Sequence, residues 1–465
     1  MSLLSLPQEL LEQICQEFCL HCQNAPSHQK SYFNVADQTM TPPEIKSLVA
    51  LRSTCKVLAH IAQPHLYQRP VGKYFSGFVQ MLSKYPELGH LVRHLSVARV
   101  LLPHGHLDGW MDGFLEYVPS FLESCYHMEG TALYEDARRC EFNPLPKSLV
   151  EQFDLPTLTT FDDEREALFI TLGLSFMPNL VKLEIGLGNH WSFRWCRPDS
   201  LPCLRELVIS EWSPPLIPNG GAIRGLLTAA PALERLELNQ VTREIPESET
   251  FYLSHANLKD LVINASTLSS PNLRMIMNGF PNLQTFHLGW MLGMYWLGPD
   301  SETPCGSILT DVVLQRKDTL RYLSLDLSEA DDMRGKKLQD LSGMAVLETL
   351  HIDRSMLTDE YDEGPHDQDI SDILPPSIRE FGLMGKADMW LYEEVLHMII
   401  MRRENLQKVI VASEDLQKEE WSHWVNVFAS ACNKSNIEFF TQEPSHWTAL
   451  TDYPDWRDDE EFEEP

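Results

Sequence analysis

Nine octets of one design recur in phase over more than half of this chain, and that repetition restricts the fold more than any single motif does. Four of them read PNLVKLEI from Pro178, PCLRELVI from Pro202, PALERLEL from Pro231 and PNLQTFHL from Pro281. Five variants, ANLKDLVI from Ala256, DTLRYLSL from Asp318, AVLETLHI from Ala345, PSIREFGL from Pro376 and ENLQKVIV from Glu404, keep the same phase. Their leading apolar residues, Leu180, Leu204, Leu233, Leu258, Leu283, Leu320, Leu347, Ile378 and Leu406, are 24 to 37 residues apart. Such a period belongs to stacked supersecondary units. Within each octet the last two apolar residues are two apart, as on one face of a strand, and the residues between them point to the other face. Helical stretches are expected between octets, over Ala222–Ala230, Asn272–Gly279, Ser307–Gln315, Lys337–Met344 and Trp390–Arg402. Strand, helix and equivalent strand make a parallel sheet. No unit covers its own apolar face, but stacked neighbours do.

The pattern resembles a leucine-rich repeat solenoid over roughly Leu172–Thr441, and His90–Val97 fits an outlying first repeat. The resemblance implies an α/β horseshoe with parallel strands on the concave face. Eight strand spacings of about 4.8 Å would give an inner edge of about 40 Å, room for a peptide or a folded surface. The family's usual Asn or Cys eight places after the leading Leu is missing. Gly188, Trp212, Val241, Ser266 and Met291 stand there, which takes away a buried hydrogen-bond ladder and predicts an irregular arc. The expected division is 1–70 for a helical N-terminal module, 71–171 for a helical linker or degenerate repeats, 172–441 for repeats and 442–465 for an acidic tail.

The N-terminus has a different period. Ser5 stands three residues before Gln8, and Pro7 falls early in the first turn, where its missing N–H costs nothing. Leu10, Leu11, Ile14 and Phe18 share one side of that helix. A second amphipathic stretch spaces Leu48, Leu51, Cys55, Leu58 and Ala62, with Pro64 expected to stop it. A few short helices in this length bury only part of their apolar surface, so some of it must pack on something else.

Leu6-Pro7-Gln8-Glu9-Leu10, Ile14, Leu48, Leu51, Cys55-Lys56 and Leu66-Tyr67 resemble an F-box. Thr54 stands where the family commonly has Val, and a polar insert from about His21 to Lys46 separates the first two helices. The resemblance implies binding to the Skp adaptor, and through it to cullin, by Leu6, Pro7, Leu10, Ile14, Leu51 and Leu58. An F-box followed by leucine-rich repeats is a recurrent architecture. It implies a non-catalytic substrate receptor of a ubiquitin ligase that acts by raising local concentration. An interaction scaffold whose helices only cap the solenoid is the alternative reading, and a metal or iron–sulfur enzyme is a third.

Charge narrows the partners. Thirty-seven Lys and Arg against 67 Asp and Glu give a net charge of −30, which repels phosphate and anionic headgroups, so nucleic acid and acidic membrane are not expected partners. Acids gather in 355–377 and 451–465. No apolar run reaches the roughly 20 residues that cross a bilayer, and sparse cysteines fit a reducing compartment, cytoplasmic or nuclear.

For an unknown protein substrate, strand residues facing away from the leucines offer Lys182, Glu184, Glu206, Arg235, Glu237, Asp260, His287, Tyr322, Asp326, His351, Asp353 and Lys408. Two aromatic loops, His190–Trp195 and Trp290–Trp296, leave equivalent strand ends and fall on one rim, with Trp191, Trp195, Trp290 and Trp296 as anchors alongside Tyr322 and His351, unless they fold back into the core. Cys15-x-x-x-Cys19-x-x-Cys22 has an iron–sulfur spacing, but on a helix. His104-Gly105-His106-Leu107-Asp108 is half of a metal motif without a partner cluster. No catalytic residue, metal ligand or cofactor is assigned.

Overall fold

The structure is a computed structural model that describes residues 6–19, 21–23, 43–70, 75–97, 170–171, 173–187, 193, 196, 198–211, 220–239, 253–264, 268, 270–289, 306–327, 337–357, 370–385, 389–401, 404–413 and 421–442. Four helices open the chain: α1 (Gln8–Glu17), α2 (Pro43–Thr54), α3 (Lys56–Gln68) and α4 (Phe75–Lys84). The strands are β1 (His94–Val97), β2 (Lys182–Leu187), β3 (Glu206–Glu211), β4 (Arg235–Asn239), β5 (Asp260–Asn264), β6 (Thr285–Gly289), β7 (Tyr322–Asp326), β8 (Thr349–Asp353), β9 (Glu380–Met384), β10 (Lys408–Ala412) and β11 (Glu438–Gln442). Between them lie α5 (Gly220–Ala229), α6 (Ser270–Gly279), α7 (Gly306–Leu314), α8 (Ile370–Ile373), α9 (Met389–Met401) and α10 (Ser422–Ser435).

All eleven strands form one parallel sheet whose spatial order is the sequence order. Every connection therefore advances by one strand, the arrangement that stacked units produce in a solenoid. The pairing keeps the octets in phase, with Leu183 opposite Leu207, Leu207 opposite Leu236 and Leu236 opposite Leu261. All nine leading residues are buried, and the next apolar column runs fully buried from Leu95 to Val409. Helices cover this face with i, i+3, i+4 sets such as Ile223, Leu226 and Leu227, or Leu309, Val312 and Val313.

Backbone bonds repeat with the same period. The carbonyl of Val181 accepts from Arg205 and Glu206, that of Arg205 from Glu234 and Arg235, and that of Glu234 from Lys259 and Asp260. Asparagine adds side-chain rungs. The Nδ2 atoms of Asn179, Asn257, Asn282 and Asn405 donate to the carbonyls of His90, Pro231, Ala256 and Pro376, at 2.9, 2.8, 2.8 and 3.0 Å. In each case the second octet position clamps the first position of the preceding unit. The five positions where the family's own Asn or Cys would stand lie outside the described residues, so the ladder seen here is a different one.

The ends are closed by different means. At the start, Arg93 N donates to Gln68 O at 2.9 Å, and Tyr67 packs on the sheet's core with its hydroxyl 3.7 Å from Met81 Sδ. At the finish, Tyr392, Trp421, Trp424, Phe428 and Phe439 stack with centroids 5.6 to 5.9 Å apart. Among the described residues, no helix is long and apolar enough to cross a membrane.

Several expectations need correction. Lys337–Met344 is not helical: Leu338 N donates to Met356 O in the short 3-10 turn Arg354–Met356, Leu341 N to Ile373 O at the end of α8 and Ser342 N to Asp340 Oδ1, so partners outside the segment and a local side chain take donors that a helix would have paired internally. Pro64 does not stop its helix. It lies inside α3, where Ile61 and Ala62 before it and Tyr67 after it are held by packing that offsets the lost hydrogen bond. The break falls earlier, at extended Cys55, and Pro43–Lys46, read as insert, begins α2. The expected linker holds α4 and strand β1. The acidic tail, His104–Asp108 and most of the acidic loop lie outside the described residues, although Asp372 belongs to α8.

Candidate functional site

Two surfaces are candidates: the apolar exterior of α1–α3 and the polar face of the sheet. Leu11, Cys15, Leu48, Leu58, Ile61 and Ala62 make the core of the helical module, flanked by half-buried Leu6, Ile14, Phe18, Leu51 and Leu66. Outside this core Leu10, Val49 and Val57 are 43%, 47% and 56% exposed. They are three of the seven large hydrophobic residues exposed among the described residues.

Of the six residues expected at an adaptor interface, Pro7 and Leu10 are exposed, and Leu6, Ile14 and Leu51 are half-buried. Leu58 is the correction. It is 3% exposed and belongs to the module's own core, while its neighbour Val57 faces out. The break at Cys55 sets the rotation of α3 that exchanges these two positions. Val49 and Val57, which the family pattern does not include, are exposed on the same module.

On the sheet, the faces alternate as the strand period dictates. A continuous polar chain crosses β1 to β5. His94 Nε2 is 3.4 Å from Glu184 Oε1, Lys182 Nζ lies 3.2 Å from Glu184 Oε1 and 2.7 Å from Glu206 Oε1, and Arg235 Nη2 meets Glu237 Oε2 at 3.1 Å. Asn239 Nδ2 then donates to Glu237 Oε1 at 3.1 Å, and Asn264 Nδ2 to Asn239 Oδ1 at 2.9 Å. Burial works against the Lys182 charge, yet Glu184 and Glu206 together hold its pKa above the ordinary value. Burial lowers the pKa of His94 despite the favourable Glu184 contact.

A second chain spans β7 to β11 and joins two of the expected site residues. Tyr322 Oη is 3.1 Å from His351 Nδ1, and His351 Nε2 is 3.0 Å from Glu380 Oε1. The carboxylate only accepts, so Nε2 carries the proton and Nδ1 accepts from the tyrosine hydroxyl. Lys408 Nζ donates to the same Glu380 oxygen at 3.1 Å and sits 5.4 Å from the Phe440 ring centroid. Burial lowers the His351 pKa, and the His351 hydrogen bond lowers that of Glu380. Between the chains, burial also lowers the pKa of His287, against the pull of Asp326 and Glu237.

Glu380 was absent from the outward-facing residues read from the sequence. Its signal was available: it occupies the fifth octet position, as do Lys182, Glu206, Arg235, Tyr322 and Lys408. Trp191, Trp195, Trp290 and Trp296 lie outside the described residues. From the first aromatic loop, Phe193 is described, and it is fully buried.

This face presents donors and acceptors in rows one strand spacing apart. No family model matches the chain, and no curated protein matches it.

Proposed function

We propose that this chain is the non-catalytic substrate-recognition subunit of a Skp-cullin-F-box ubiquitin ligase. The α1–α3 module is the F-box that docks on the Skp adaptor, and the sheet is the concave wall of a leucine-rich repeat horseshoe that holds a protein substrate. The observation that carries the reading is the set of exposed apolar residues on the module, Leu10, Val49 and Val57, with exposed Pro7 three residues before Leu10, on helices that already have a core of their own. Exposed apolar residues above a finished core serve a second polypeptide better than they serve the fold.

The module joins the first strand through the Gln68–Arg93 backbone bond, so a ligand on the sheet is held at a fixed position relative to a bound adaptor. Transfer of ubiquitin is then promoted by local concentration, with the reacting groups supplied by other subunits. The test is co-purification of a Skp adaptor with the full chain and with a Pro7→Ala/Leu10→Asp variant. Both positions are exposed, so the variant is expected to fold and to lose the adaptor. Retained binding removes the docking assignment.

A further inference from the structure

Sequence spacing offered Cys15, Cys19 and Cys22 as a set, but the fold assembles a different one. Cys15 belongs to the apolar core of the helical module with Leu11, Leu48 and Leu58. Cys19, His21 and Cys22, in the turn after α1, bring one ligand atom each within 4.8 Å of one another. A fourth candidate, His65 on α3, stands outside this mutual set and approaches one of its members, Cys22. His65 Nδ1 is 3.8 Å from Cys22 Sγ, and His21 Nδ1 is 3.9 Å from the same sulfur. Metal–sulfur bonds of about 2.3 Å and metal–nitrogen bonds of about 2.0–2.1 Å put tetrahedral ligand atoms about 3.5–3.8 Å apart. The two sulfur–nitrogen separations are thus within a few tenths of an ångström of the edges of a zinc tetrahedron.

We propose that Cys19, His21, Cys22 and His65 form a structural zinc site that staples the end of α1 to α3. Two thiolates and two imidazoles are a donor set that zinc favours and that hard cations such as magnesium or calcium do not. The turn is already closed for this purpose, because Gln23 N donates to Cys19 O at 3.0 Å. Gln68, one helical turn after His65, supplies the outer contact: its Oε1 lies 3.2 Å from Cys19 Sγ and 3.6 Å from Cys22 Sγ, accepting from the thiols. On metal binding each thiol loses its proton to solvent, and the Gln68 amide turns so that its NH2 donates to the sulfurs. Gln68 is a positioning residue there. The inference stands on these side chains alone and does not depend on the ligase reading.

The full chain is purified with reductant, its zinc is measured by elemental analysis, and the chelator-stripped chain is titrated with Co2+. About one metal per chain is expected, with thiolate-to-cobalt absorption and tetrahedral d–d bands. A Cys22→Ser/His65→Ala variant is expected to lose both signals, Cys203→Ser to keep them, and Gln68→Ala to weaken Co2+ binding about 10–100-fold. Absence of the thiolate–cobalt band in the wild-type chain overturns the proposal whether or not the variants fold. So does a Cys22→Ser/His65→Ala protein that still binds Co2+ with that band.

Discussion

Among the described glycines, Gly279 is the one where an added β-carbon makes the shortest contact, so Gly279→Ala is the telling substitution. Gly279 ends α6, where a β-carbon would stand 1.6 Å from the carbonyl oxygen of Leu253 and 2.8 Å from its carbonyl carbon. Both are backbone atoms, so the helix or the preceding strand of coil must move by 1.4 Å to bring the closer contact even to 3.0 Å. That movement strains two bonds that tie this coil to adjacent units, His255 N to Gly279 O at 3.0 Å and His255 Nε2 to Ala230 O at 2.9 Å. Overpacking costs about 1–3 kcal/mol, and weakening one buried bond adds about 1 kcal/mol. The better helix propensity of alanine returns at most about 1 kcal/mol. A net loss of about 1–4 kcal/mol is expected, read as a lower urea midpoint at unchanged m by far-UV circular dichroism. Gly343→Ala is the control, because nothing lies within 4 Å of its β-carbon position, and it is expected to change stability by no more than about 0.5 kcal/mol. If the two variants unfold alike, the close approach of α6 to Leu253 is wrong.

Acidification should destabilise the sheet. Burial depresses the pKa of His94, His255, His287 and His351, so the stability gained by keeping them neutral is complete above the ordinary histidine value of 6.5 and is lost as pH falls through their lowered values. The depressed Glu380 acts in the same direction from 4.5 downward. Urea midpoints measured between about pH 7.5 and about pH 5 should fall, and less steeply in His351→Gln; a flat profile contradicts the burial of these rings. Asn257→Ala and Asn282→Ala each remove one exposed rung between units and should each cost about 0.5–1.5 kcal/mol. Chemical denaturation of the single variants checks this, and two neutral results would reduce the rungs to ornament. Tyr322→Phe should leave His351 Nδ1 without its donor and cost a similar amount, whereas Tyr322→Phe made on top of His351→Ala should cost almost nothing, a coupling that a double-mutant cycle reads directly.

How much of this could be read beforehand follows from how local each cause is. The strands were legible because their signal lies within eight residues and the partner of each is another copy of itself: Leu183, Leu207 and Leu236 announce both the strand and its register. Helices α5, α6, α7 and α9 were legible from their apolar spacing, but the same spacing misled at Leu338, Leu341 and Met344. There the carbonyls of Met356 and Ile373 pair the backbone of a coil, a contact invisible from the residues themselves. β11 falls inside the expected repeat range without a matching octet. Left-handed Asn436 takes the leading position, Ile437 is buried beside it, and Thr441 replaces the last apolar residue. The residues expected to face an adaptor come from a family pattern that fixes residue type and not rotation, so they include Leu58, which the fold buries. Cys22 and His65 are 43 residues apart, and only the return of α3 past the end of α1 brings them together.

The electrostatics of the polar face also bear on what it can hold. Its cations are already engaged: Lys182 on Glu206 at 2.7 Å, Arg235 on Glu237 at 3.1 Å and Lys408 on Glu380 at 3.1 Å. On the rim where the strands begin, Lys259 meets Glu234 at 2.7 Å and Arg321 meets Glu348 at 3.0 Å, each between adjacent units. A polyanion approaching these surfaces would have to displace a fixed carboxylate for each phosphate it gained, within the field of a chain whose net charge is −30. A protein segment meets no such barrier, because it can leave the pairs in place and add its own donors and acceptors at their edges. The physical content of the recognition proposal is therefore shape and hydrogen-bond pattern on a prepaired surface. Ligand binding to the sheet should accordingly depend on salt only weakly, whereas binding that collapses between about 50 and 200 mM salt would identify the ligand as a polyanion and refute the argument.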